Sequence, residues 1–178
     1  VLLGIILGLM MCFDLGGPVN KAAYLFATAG LSTGDESSMQ IMAAVMASGM
    51  VAPIALSLAT FIRKSLFTPA EQENGKSAWL LGLSFVSEGA IPFAAADPFR
   101  VIPSMMAGGA VTGAISMALS VGSRAPHGGV FVFFAIDPFW GYLVAIAAGV
   151  VVSTATVLAM KQFWPNKAVE EAAQNVAA

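Results

Sequence analysis

The sequence predicts an all-α polytopic membrane protein with transmembrane helices and two re-entrant hairpins of opposite orientation. Three observations carry this prediction. The 178 residues are 58% hydrophobic and only 10% charged, against roughly 25% charged in an ordinary soluble domain, and mean hydropathy is +0.83. Apolar runs long enough to cross ~30 Å of hydrocarbon at ~1.5 Å per residue recur along the chain. Between them lie apolar runs too short to cross, interrupted by Gly and Pro. Non-helical backbone at membrane depth is tolerated only where protein or a water-filled cavity covers it.

The same composition excludes other classes. Eight basic against ten acidic residues give a net charge of −2, with no basic patch for nucleic acid. Low charge with high apolar content excludes disorder. Cys12 is the one cysteine, so no internal disulfide or cysteine-based metal cluster is expected. Neither a metal nor a cofactor is predicted.

The elements follow in order. Residues 1–13 are apolar from the first position, with no initiator Met and no basic region, so no signal peptide is read. A helix is expected to begin upstream. Residues 14–21 (DLGGPVNK) interrupt the run, and residues 22–31 are apolar but too short to span. The polar loop 32–38 holds Asp35 and Glu36 and no basic residue, which places it outside. Residues 40–62 form a span with Pro53 as a kink. The hydrophilic stretch 63–77 carries Arg63, Lys64 and Lys76, which place it in the cytoplasm. Residues 101–121 form a second clean span. After the Gly/Pro-rich break 122–129, a long apolar run reaches Met160, divided at Asp137-Pro138. Lys161 and Lys167 put the following tail in the cytoplasm.

Parity then decides the rest. With 101–121 running outward and 139–160 inward, residues 78–98 and 122–136 must each enter and leave on one side. Residues 1–165 read as one membrane domain and 166–178 as a polar cytoplasmic tail. An internal repeat agrees: residues 89–99 (GAIPFAAADPF) align without gaps on 129–139 (GVFVFFAIDPF), with Gly82 and Gly122 also in register. Each unit is a hairpin followed by a span, and one span separates the two hairpins. In transporters built this way, substrate sits where the hairpin tips meet.

Two residues stand out chemically. Glu88 lies in Ser87-Glu88-Gly89-Ala90-Ile91-Pro92, inside an apolar stretch. An intramembrane carboxylate costs at least ~2.5 kcal/mol on insertion scales, so it marks a function by default. The bland alternative is an interfacial loop glutamate. His127, the one histidine, lies in Gly122-Ser123-Arg124-Ala125-Pro126-His127-Gly128-Gly129, and an imidazole exchanges protons near neutral pH. Asn20 and Lys21 follow a Gly-Gly-Pro break. They suit hydroxyls or a phosphoryl group, or Lys21 simply snorkels to an interface. Arg124 clamps an anion or faces an interface. Asp97 and Asp137, each before Pro, read as helix N-caps. Met39, Met42, Met46 and Met50 read as a packing face. Cys12 has no base near it in sequence and is not read as a nucleophile.

Three blocks, Asp14 to Tyr24 (DLGGPVNKAAY), Ser87 to Pro98 (SEGAIPFAAADP) and Ala125 to Gly129 (APHGG), resemble the fructose-type IIC membrane component of the bacterial phosphoenolpyruvate-dependent sugar phosphotransferase system. The resemblance implies the C-terminal half of that domain, without its N-terminal spans or the IIB domain with its phosphorylated cysteine. It implies a multi-pass protein of the bacterial inner membrane, dimeric as a family trait. Such a protein carries a sugar, commonly fructose, inward while phosphocysteine of IIB phosphorylates it, giving fructose 1-phosphate. In glucose-type relatives a hairpin Glu and a His, in the reverse chain order, surround the sugar. By that analogy Glu88 and His127 are catalytic, and Asn20, Lys21, Ser123 and Arg124 complete the sugar-binding set. The small residues Ala107 to Ala110 and Gly113 suit a dimer interface or packing within one subunit. A secondary sugar or anion transporter, with Glu88 coupling protons and no phosphorylation, is the competing reading. A channel is a third, without a visible filter motif.

Overall fold

The computed structural model describes residues 2–13, 17–31, 36–63, 67, 69–84, 87–96, 98–123, 134–137 and 139–163. For residues 69, 70, 87, 88, 96, 98 and 137 only the backbone is described. Among the described residues seven α-helices follow in order: α1 (Leu2–Phe13), α2 (Pro18–Leu31), α3 (Glu36–Ile62), α4 (Pro69–Leu83), α5 (Ile91–Ala96), α6 (Pro98–Ala118) and α7 (Phe139–Phe163). A 3₁₀ turn, Ser87–Ala90, separates α4 from α5. Helices α3, α6 and α7 are long and apolar enough to cross a membrane. The all-α membrane class is therefore the observed one.

Helix α3 is the axis. Its most apolar window is 83% buried, against 44% for α6 and 39% for α7, so it is wrapped by protein while its neighbours keep a face outward. Met42, Met46 and Met50 are fully buried, as a packing face requires. Side-chain contacts fix the helix directions. Thr154 Oγ1 donates to the Ala55 carbonyl at 3.3 Å, and Tyr142 OH to Met50 Sδ at 2.8 Å, so α7 runs parallel to α3. Ser153 Oγ donates to the Ser104 carbonyl at 3.1 Å, and Gly141 packs against Val121 and Leu119, so α6 runs antiparallel to α7. Gly4 faces Gly113 and Gly8 faces Gly109, so α1 is also antiparallel to α6.

These directions put the C-terminal ends of α3 and α7 at one end of the bundle. Arg63 and Lys161 therefore share a side, as the charge pattern predicts. The small-residue stripe of α6 is consumed inside the chain: Gly109 and Gly113 meet α1, and Gly108 meets Gly149 and Ser153 of α7. Of the two roles open to that stripe, internal packing is the one seen, so these glycines give no support to a dimer interface.

Two local departures from the sequence reading have clear causes. The hydrophilic stretch is not all loop, because α4 begins at Pro69. Proline is favoured in the first helical turn, where its missing N–H costs nothing, and Glu71 there complements the helix dipole. Ala, Glu, Gln and Lys then propagate the helix, with a Lys76–Glu73 pair at 3.1 Å one turn apart. The second departure is a two-residue antiparallel pairing, Gly122 with Asp137 and Ser123 with Ile136. It follows a left-handed cap at the end of α6. Ser120 has φ 55°, and the Val121 amide returns to the Ser116 carbonyl at 3.0 Å, the bond pattern of a helix-ending Schellman turn.

Candidate functional site

Glu88 lies in the 3₁₀ turn Ser87–Ala90, and the elements around it fix its height. Helix α4 runs back along α3: Gly75 packs on Thr60, and Gly82 on Ile54 and Pro53. A Cβ on Gly89 would stand 3.1 Å from Leu81 and 3.4 Å from Pro53, so the turn rests on Pro53, about two-thirds along α3. Phe93 of α5 then meets Phe67 edge-on at 6.0 Å, and α6 starts at the level of the α7 terminus. Helix α4 and the 3₁₀ turn with the Glu88 backbone thus lie along the C-terminal part of α3. The Glu88 side chain itself lies outside the described residues.

The end of α1 comes to a similar height. Cys12 Sγ donates to the Ser48 carbonyl at 3.4 Å, so α1 ends against the middle of α3. Asn20, buried at the start of α2, donates its amide to the Met11 carbonyl at 2.8 Å. Met11 belongs to the last turn of α1, whose carbonyls have no partner within their own helix. One part of the Asn20 amide is therefore engaged in joining the start of α2 to the end of α1. Lys21 beside it is exposed. Ser48 and Pro53 are five residues apart, about 7.5 Å along a helix axis, so the end of α1 and the 3₁₀ turn Ser87–Ala90 abut neighbouring heights of α3.

The third motif-bearing segment approaches from the other end. Ser123 is fully buried in the strand Gly122–Ser123, which packs on α3. Its pairing with Ile136–Asp137 closes the neck of the connection between α6 and α7. Arg124 and His127 lie outside the described residues, as do residues 166–178 of the predicted tail. Among the described residues, no three of His, Cys, Asp and Glu are grouped as a metal site. Sequence reasoning missed one polar feature here. It read Lys161 as a solvated orientation signal and gave Glu71 no role, yet the two are buried together with Nζ to Oε2 at 3.9 Å. Their 90-residue separation gives no local signal.

Three membrane-length helices among the described residues define a multi-pass membrane protein. Comparison with known proteins specifies it further. The chain is 58% identical over 156 residues to the PTS system fructose-specific EIIB'BC component of Escherichia coli K12, covering 86% of this chain and 27% of that protein. It is 54% identical over 172 residues to the component of the same name from Vibrio cholerae, covering 95% and 29%. It is 49% identical over 175 residues to the PTS system fructose-specific EIIC component of Haloferax volcanii, covering 98% and 45%. No family model and no solved structure matches. The chain is thus homologous, over 86–98% of its own length, to fructose-specific components of the phosphotransferase system, and it spans about a quarter to a half of the length of these relatives.

Proposed function

We propose that the chain forms the part of a fructose-type permease that binds a sugar, fructose first, and presents it for phosphorylation during inward transport. The observation that carries this is the 49–58% identity to fructose-specific components along 86–98% of the chain. The partner is a phosphorylated IIB domain, in the same or a separate chain. The reaction is attack of a sugar hydroxyl oxygen on the phosphorus of phosphocysteine. The S–P bond breaks, cysteine thiolate leaves, the hydroxyl proton goes to the Glu88 carboxylate, and fructose 1-phosphate is released inside. Such a transition state is loose, and catalysis consists of positioning and charge stabilisation. His127, with Lys21 or Arg124, would hold sugar hydroxyls and stabilise phosphoryl oxygens, while Asn20 and Ser123 add hydrogen bonds to the remaining hydroxyls.

Support comes from the turn that carries Glu88, whose Gly89 packs on Pro53 of α3, and from Asn20, whose amide donates to the last turn of α1. The bends 78–98 and 122–136 are proposed as re-entrant hairpins from opposite faces. Residues 1–165 would form the membrane domain. Cysteines introduced singly at Glu73 and Phe163, in a Cys12→Ser background, should label from the cytoplasmic side, and one at Asp35 from outside. Labelling of Glu73 and Phe163 positions from opposite sides would defeat the hairpin topology. A homodimer is proposed from the family alone, and a monomer in native mass measurements of the intact protein would reject it.

The function is tested on membranes holding the intact protein, with phosphoenolpyruvate and the soluble phosphotransferase proteins, across several sugars. Sugar phosphate should form with fructose and only when IIB is phosphorylated. Uptake of unmodified sugar driven by a proton gradient, without phosphorylation, would instead establish a secondary transporter with Glu88 as its proton site.

A further inference from the structure

The bend that carries Glu88 is held at its foot by a buried charge cluster. Lys161, in the last turn of α7, and Glu71, in the first turn of α4, are each 2% exposed. Their charged groups lie 3.9 Å apart. The Lys161 ammonium also stands 4.6 Å from the centre of the Phe67 ring, within range for attraction between a cation and an aromatic face. Phe67 is itself 2% exposed. It accepts at its carbonyl from Gln72 Nε2 at 3.0 Å and meets Phe93 of α5 edge-on. One lysine on α7 therefore grips both legs of the bend, α4 through Glu71 and α5 through Phe67 and Phe93.

Charge buried to this degree is not needed for orientation in a membrane, since a solvated lysine would serve that purpose as well. A buried ion pair gives little net stability compared with apolar residues of similar size. Its use is in fixing one arrangement of the elements it joins. We propose that Glu71 and Lys161 are positioning residues that fix the foot of the 69–96 bend to α7 and thereby set where Glu88 stands toward the transferable hydroxyl. This rests on the reading of Glu88 given above. Neither residue touches the sugar, and both act through the placement of Glu88.

The test measures sugar affinity and sugar-phosphate formation at saturating sugar, per molecule of intact protein in the membrane. Glu71→Gln and Lys161→Met should each slow transfer at least tenfold while affinity changes less than threefold. Lys161→Arg, which keeps the charge and the aromatic contact, should stay within threefold of the parent. In a Glu88→Gln background, Glu71→Gln should add little further loss, because its effect passes through Glu88. Unchanged transfer in the neutral variants, or the same loss from Glu71→Gln with and without Glu88, would overturn the proposal. A normal transfer rate in Glu88→Gln alone would instead remove the Glu88 reading, and the positioning role with it. If the neutral variants do not accumulate, the exchanged pair Glu71→Lys with Lys161→Glu decides. Recovery of inserted, transferring protein in the exchange but not in either single reversal supports the pairing, and equal loss in all three overturns it.

Discussion

Glu88→Gln in the intact permease should separate binding from transfer. The substitution keeps the size of the side chain and part of its hydrogen bonding but removes the base. A hydrogen bond to a charged group at a buried site is worth about 1–3 kcal/mol, so sugar affinity should weaken by that amount and remain measurable. Sugar-phosphate formation should fall much further, because general-base help is typically worth ~10²–10⁴-fold. His127→Ala should reduce both, since it removes a contact and leaves sugar hydroxyls without partners. Affinity and sugar-phosphate formation on the same membranes provide the check. Weak binding with a normal rate at saturation would make Glu88 a binding residue only. No change in either would move the site to another part of the chain.

The bend around Glu88 shows what a sequence can reveal and what it cannot. The interruption after α4 was legible, because residues 78–98 are too short and too broken by Gly and Pro to form one crossing helix, and a 3₁₀ turn at Ser87–Ala90 divides them. The starts of α6 at Pro98 and α7 at Phe139 were legible from the repeated Asp-Pro-Phe. The helix over residues 69–77 was hidden by polarity, since hydropathy marks solvent exposure and is silent on helix propensity. The Glu71–Lys161 pair was hidden more deeply. Basic residues at span ends usually mark orientation, and only the antiparallel run of α4 along α3 brings Glu71 beside the end of α7. The glycines of α1 and α6 were visible as small residues, but their partners were not, because close approach is a property of two helices and not of either alone.

Gly109→Leu should be the most damaging single change to the fold. On α1, Gly4 and Gly8 are one turn apart, and on α6 so are Gly109 and Gly113, and the two pairs meet backbone to backbone. A Cβ on Gly109 would stand 2.6 Å from the Gly8 carbonyl oxygen and 2.7 Å from Cys12 Sγ. A Cβ on Gly8 would collide with the Gly109 carbonyl. The carbonyls belong to helical backbone and cannot turn aside as a side-chain tip could, so the helices must separate. In lipid there is no hydrophobic gain to offset separation, because the tails are as apolar as leucine and van der Waals contact carries the association. Overpacking typically costs 1–3 kcal/mol, and losing a whole crossing places Gly109→Leu at or above ~3 kcal/mol by that scale. Gly109→Ala should cost less but still measurably. Ala107→Leu, on a half-buried position two residues away, should change stability by under about 1 kcal/mol, as substitutions outside tight contacts do. Unfolding midpoints of the purified intact protein in one detergent report all three. Equal midpoints for Gly109→Leu and Ala107→Leu would mean that α1 and α6 do not cross at these glycines.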